Sequence, residues 1–149
     1  MNHLKTILLV EDNLKDVELT MAALKQHNFA NEVVVARDGS EALDYIFRRG
    51  QFKDRSKGDP LVILLDLKMP KVDGLEVLRQ IKSDENLKMI PVVMLTSSRE
   101  EADLVRSYRL GVNAYVVKPV GFQEFVNAIT QTGMFWAVVN ALPHSAVNG

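Results

Sequence analysis

Several apolar runs in this sequence end on polar residues with chemical capacity. Glu11-Asp12 follows the first run, Asp66 the third, Thr96-Ser97 the fourth and Lys118-Pro119 the fifth. Three carboxylates brought together repel one another and hold protons more tightly unless a cation neutralises them. Hard oxygen donors with room for water suit Mg²⁺ better than a soft metal. A lysine alongside supplies a compact positive charge for a phosphoryl oxygen, and a threonine hydroxyl can bond another. The chemistry this favours is attack of a carboxylate on phosphorus to give an aspartyl phosphate, with metal and lysine stabilising the charge in transfer. Each residue alone has a duller reading: an aspartate after a strand often caps the next helix, and a lysine is usually solvated. The chemistry therefore depends on the elements that bring the four stretches together.

Five short β-rich runs recur, at Thr6–Val10, Glu32–Ala36, Leu61–Leu65, Pro91–Leu95 and Ala114–Val117. Four are nearly continuous in Ile, Leu and Val, which suits parallel strands buried on both faces. Segments with helical spacing lie between them. Asn13 caps the first, whose apolar stripe is Val17, Leu19, Met21 and Leu24. The second is Ser40–Arg49, and the third, about Gly74–Lys82, places Leu75, Leu78 and Ile81 three apart. Ser98 caps the fourth, which runs through Leu104, Val105 and Tyr108 to a stop at Gly111; a fifth begins near Phe122. The alternation predicts an α/β fold, a parallel sheet with helices on both faces. In such sheets ligands bind at the carboxyl ends of the strands, where the polar stretches fall.

The chain has 149 residues, with 18 Lys+Arg against 19 Asp+Glu and no cysteine. The balance gives no electrostatic reason to expect nucleic acid or an anionic membrane as partner. Thiolate metal sites, disulfides and cysteine nucleophiles are excluded. The apolar run after Thr6 breaks at Glu11, too short to span a membrane, so a cytoplasmic protein is expected. Gly50–Pro60 reads as a polar surface loop, and residues 143–149, from Pro143 on, as a frayed tail. His3, His27 and His144 have no metal-ligand spacing and read as solvated.

Taken in order, Glu11-Asp12, the run Asp66-Leu67-Lys68-Met69-Pro70 with Asp73-Gly74, Thr96 and Lys118-Pro119 resemble the receiver domain of two-component response regulators. The likeness covers about residues 5–131. The loop 48–60, the segment Ser107-Tyr108 to Asn113 and the Phe135-Trp136 ending resemble the single-domain receivers that pair with cyanobacterial phytochromes. This resemblance implies a flavodoxin-like fold, five parallel strands in the order 2-1-3-4-5 flanked by five helices, in one domain over residues 1–142 with an extended last helix. It implies Asp66 as phosphoacceptor and Mg²⁺ held by Asp12 directly, by Glu11 through water, by Asp66 and by the Lys68 backbone carbonyl. Lys118, on a cis peptide bond to Pro119, would contact the phosphoryl group. Thr96 and Tyr115 would move as a switch, repacking the surface around the fourth and fifth helices. The implied partners are a sensor histidine kinase of the phytochrome type and a second copy through those two helices.

The implied role is signalling through protein contacts rather than enzymic turnover, with a phosphorelay intermediate as the alternative. An aspartyl-phosphate hydrolase needs a second aspartate two residues after the nucleophile, where Lys68 stands. A nucleotide or flavin binder needs a glycine-rich loop after the first strand, where Asn13-Leu14-Lys15 stands. The end segment, with Phe135, Trp136, Val138 and Val139, folds over the domain's own core or extends the last helix toward a second copy.

Overall fold

Runs rich in Ile, Leu and Val extend into β1 (Ile7–Val10), β2 (Val33–Ala36), β3 (Val62–Leu65), β4 (Val92–Thr96) and β5 (Ala114–Val117). All pair in parallel, in the order β2-β1-β3-β4-β5. The structure, a computed structural model, describes residues 6–26, 32–55, 58–97, 99–118 and 127. The strands β1, β3 and β4 are buried along their whole length, as the continuous runs require. Register places Val10 between Ala36 and Leu65, and Thr96 beside Val117, so the residues following these strands emerge along one edge of the sheet.

Alternation along the strands divides the core into two layers. Leu8, Val10, Ile63, Leu65, Val92 and Met94 face α2 (Gly39–Phe47) and α3 (Gly74–Ser83). Ile7, Leu9, Val62, Leu64, Val93 and Leu95 face the other way, with Val17 and Leu24 of α1 (Leu14–Gln26). Leu78 and Ile81 of α3 are fully buried, each contributing about 1.5–3 kcal/mol of apolar transfer.

Helix boundaries follow local chemistry. The Asn13 side chain accepts the Asp16 N–H at 3.0 Å and starts α1 as expected. Asp38 accepts the Glu41 N–H at 2.7 Å, so α2 starts one residue before the expected Ser40. It also stops at Phe47 rather than Arg49, because Arg48 adopts the left-handed conformation (φ 57°). Asp73 caps α3 in the same way, accepting the Glu76 N–H at 3.0 Å.

Three other expectations are corrected. On α1, Leu19 and Met21 are exposed, while Val17 and Leu24 are the described α1 side chains buried against the sheet. The fourth helix, α4, spans Glu101–Arg109 with Glu100 at its cap position and no side-chain cap bond from it; Ser98, the expected cap, lies outside the described residues. Its orientation also reverses the apolar reading: Asp103 and Ser107 are buried, whereas Leu104, Val105 and Tyr108 are 37%, 41% and 48% exposed. The buried pair is satisfied locally, Arg106 donating to Asp103 at 2.6 Å and the Ser107 hydroxyl to the Asp103 carbonyl at 2.8 Å. The loop after α2 is tied down rather than merely solvated. It contains a 3₁₀ turn (Gly50–Phe52), Phe52 packs edge-on to Tyr45 at 5.2 Å, and the Arg55 guanidinium stacks on the Tyr45 ring at 4.1 Å.

Four helices lie among the described residues. The fifth helix expected from Phe122, its extension to residue 142 through Phe135-Trp136, the tail 143–149, the Lys118–Pro119 peptide bond and the three histidines lie outside them.

Candidate functional site

The carboxyl edge of the sheet gathers residues far apart in the chain. Glu11 and Asp12 leave β1, and the Glu11 N–H donates to the Ala36 carbonyl of β2 at 2.9 Å. Asp66 leaves β3 with its N–H on the Val10 carbonyl at 3.0 Å. Lys118 leaves β5 with its N–H on the Thr96 carbonyl at 2.8 Å. The ladder thus runs one residue past the strands and fixes the backbone of Glu11, Asp66 and Lys118.

The three carboxylates converge. One oxygen each from Glu11, Asp12 and Asp66 lie within 4.8 Å of one another. Glu11 and Asp66 are buried, while Asp12 stands at the open side. Burial raises the proton affinity of Asp66, the neighbouring Glu11 carboxylate raises it further, and nearby Lys118 only partly offsets them; its pKa is pushed up to about 7. Crowded hard oxygen donors whose mutual repulsion already drives proton uptake are a donor set that fits a divalent cation.

Lys118 is bound on the acidic side of this cluster. Its Nζ lies 2.5 Å from Glu11 Oε1, 2.9 Å from Asp16 Oδ2 and 3.8 Å from Asp66 Oδ1. Burial alone would favour the neutral amine, but the bonds to Glu11 and Asp16 and the Asp66 charge outweigh it and raise the lysine's pKa. Glu11 is further committed by accepting the Asn13 N–H at 3.1 Å.

The loops around the site are held by close packing. A Cβ on Gly74 would sit 2.2 Å from the Asp66 carbonyl oxygen, so only glycine lets α3 begin this close to the acceptor strand. Lys71, in the left-handed conformation (φ 66°), pairs with Asp38 at 3.4 Å and links the loops after β2 and β3. Lys68 turns its side chain to Glu100 at 3.5 Å, an exposed pair across the loops after β3 and β4.

Of the residues singled out in the sequence, Glu11, Asp12, Asp66 and Lys118 come together directly. Thr96 is buried at the end of β4, and Tyr115, opposite Met94, is half-buried against the α2–α3 layer of the core. Asp16 was missed. Its signal lay in the Asn13 cap: that cap puts Asp16 in the first turn of α1, where side chains lean back toward the helix start and hence toward the strand end. Arg37, whose guanidinium donates to the Asp12 carbonyl at 3.3 Å, had no comparable signal.

Comparison with known proteins agrees with this geometry. The family model described as response regulator receiver domain matches residues 7–130. A solved structure of the bacteriophytochrome response regulator AtBRR is 64% identical, with a TM-score of 0.85 over 93% of this chain and 99% of that one. The probable methanogenesis regulatory protein FilR2 of Methanothrix harundinacea is 43% identical over 94% of this chain and 88% of its own. Response regulator Rcp1 of Synechocystis sp. is 39% identical over 93% of both chains. The crystal structure of its Mn²⁺-bound form is similar, at a TM-score of 0.75 and 39% identity over 93% of this chain and 99% of that one.

Proposed function

The chain belongs to the response regulator receiver domain family, and from that premise we propose that it accepts a phosphoryl group on Asp66 from a phosphohistidine of a sensor kinase. The observation that carries this reading is one buried carboxylate, Asp66, set among two others within 4.8 Å and a lysine Nζ at 3.8 Å. An Asp66 oxygen attacks phosphorus, the P–N bond breaks, and the imidazole nitrogen takes the electron pair. Lys118 Nζ, 3.8 Å from Asp66 Oδ1, stands beside the oxygens that gain charge, and Thr96 ends the neighbouring strand as a hydroxyl donor. Glu11, Asp12, Asp66 and the Lys68 carbonyl would hold Mg²⁺, whose chemistry is to screen the converging negative charges.

The partner kinase is of the phytochrome type: bacteriophytochrome response regulators and Rcp1 are among the chain's relatives. The output is a change of protein contacts, not turnover of a substrate. Phosphorylation draws Thr96 inward, and Tyr115, on the same face of the sheet, follows and repacks the surface of α4 and β5. A homodimer through α4 and the following helix is supported by the exposed Leu104, Val105 and Tyr108. No helix among the described residues is long and apolar enough to cross a membrane, and the proposed site of action is the cytoplasm.

The test is labelling by a phytochrome kinase, and by a small acyl phosphate, with and without Mg²⁺. Label should appear on the wild type, require the cation and vanish in Asp66→Asn. Retained labelling in Asp66→Asn places the acceptor elsewhere. Passage of label from the phosphorylated chain to a histidine protein would make it a relay carrier.

A further inference from the structure

Of the two carboxylates that bind Lys118, only one belongs to the triad at the acceptor. Asp16 sits on a different element, α1, and reaches Lys118 Nζ at 2.9 Å across 102 positions of sequence. We propose that Asp16 is a positioning residue, holding the Lys118 ammonium off Asp66 so that the acceptor face stays open to the cation and the phosphoryl donor. The proposal rests on the reading of Asp66 as phosphoacceptor and adds a regulator of that same site.

The geometry supports a hold that can be released. Asp16 is fixed at its backbone by the Asn13 cap, so its carboxylate is aimed rather than free. The Glu11 side chain is almost wholly buried, at 4% exposure, and is also bonded to the Asn13 N–H, whereas the Asp16 side chain is 32% exposed. Of the two bonds, water can replace Lys118 at Asp16 more easily than at Glu11. A phosphoryl oxygen arriving at Asp66 can therefore draw the ammonium from Asp16 while Glu11 keeps it charged and in place. Without Asp16, the mostly buried lysine has Glu11 and Asp66 as its remaining close carboxylates, and moves onto the oxygens a cation or phosphorus atom needs. A charge in the first turn of a helix also favours the helix dipole, but that role does not require a lysine from β5.

The experiment uses the full chain as wild type, Asp16→Asn, Asp16→Glu, Lys118→Met and the double variant Asp16→Asn with Lys118→Met. Mn²⁺ affinity is read from the free-ion signal in electron paramagnetic resonance, and labelling from a small acyl phosphate. Asp16→Asn should weaken Mn²⁺ about threefold to tenfold and slow maximal labelling similarly, with the half-saturating donor concentration little changed. Asp16→Glu should recover most of both. In the Lys118→Met background the Asp16→Asn change should lose most of its effect on Mn²⁺, because Asp16 acts through the lysine. Wild-type Mn²⁺ affinity in Asp16→Asn, a loss that glutamate does not restore, or an undiminished effect without Lys118 overturns the proposal. A wild-type chain that binds Mn²⁺ but takes no label removes the phosphoacceptor reading instead, and the Mn²⁺ cycle still decides the hold on Lys118.

Discussion

Lys118 Nζ is 2.5 Å from Glu11 and 3.8 Å from Asp66, so the site's lysine is bonded to a buried neighbour of the acceptor and stands just beyond hydrogen-bond reach of the acceptor itself. This asymmetry leaves Asp66 with less compensation than its surroundings demand, and several measurable properties follow from it.

Removing the lysine strands Glu11. Its side chain is 4% exposed, and breaking a buried ion pair from one side leaves an uncompensated charge. Lys118→Met should destabilise the metal-free protein by about 3 kcal/mol in urea unfolding. Added Mg²⁺ should restore part of that loss, since a cation gives the carboxylates another partner.

Stability should depend on pH with an unusual sign. The Asp66 carboxyl is raised from 3.8 to about 7, so between those values the folded chain holds a proton that the unfolded chain has released. The Asp66 contribution therefore falls as pH rises from about 4 to about 7 and stays low above that. In chelator, thermal melts should show this contribution as a loss of stability between pH 5.5 and 8, on the order of 2 kcal/mol. Asp66→Asn should flatten the slope and be the more stable protein at pH 8. An unchanged slope in Asp66→Asn would assign it to another group.

Close approach at Gly74 gives a sharp steric prediction. Gly74→Ala forces a Cβ to within 2.2 Å of the Asp66 carbonyl oxygen and 2.8 Å of the Leu67 Cα, both backbone atoms. It should destabilise the fold by about 3 kcal/mol and displace the acceptor. The control is Gly58→Ala, where a Cβ meets nothing within 4 Å; calorimetry should place it within about 0.5 kcal/mol of wild type.

On α4, Val105→Glu puts a charge into the exposed strip formed with Leu104 and Tyr108. It should weaken self-association at least about tenfold, as desolvating an unpaired carboxylate costs more than 1.4 kcal/mol. Light scattering should show the shift to monomer, while labelling at Asp66, at the carboxyl edge of the sheet, persists. An unaltered mass distribution in both proteins removes α4 from any dimer contact.

Residue types and their order were enough to set the elements and the edge at which chemistry collects. The unbroken Ile/Leu/Val runs of β1 and β3 suit strands buried on both faces, and Asn13 and Asp73 set helix starts through their own side chains. Because Glu11, Asp12, Asp66, Thr96 and Lys118 each end or directly follow a strand, parallel pairing brought them to one side whatever the details of packing. Which partner each found was set by packing in three dimensions. Helical spacing marks an apolar stripe but not the neighbour it meets, and so Leu104, Val105 and Tyr108 face outward while Asp103 and Ser107 turn in. The bond from Asp16 to Lys118, the clearance at Gly74 and the raised proton affinity of Asp66 depend on distances between segments remote in the chain. Electrostatic and steric energies change steeply over an ångström, and no local pattern of residue types carries that separation.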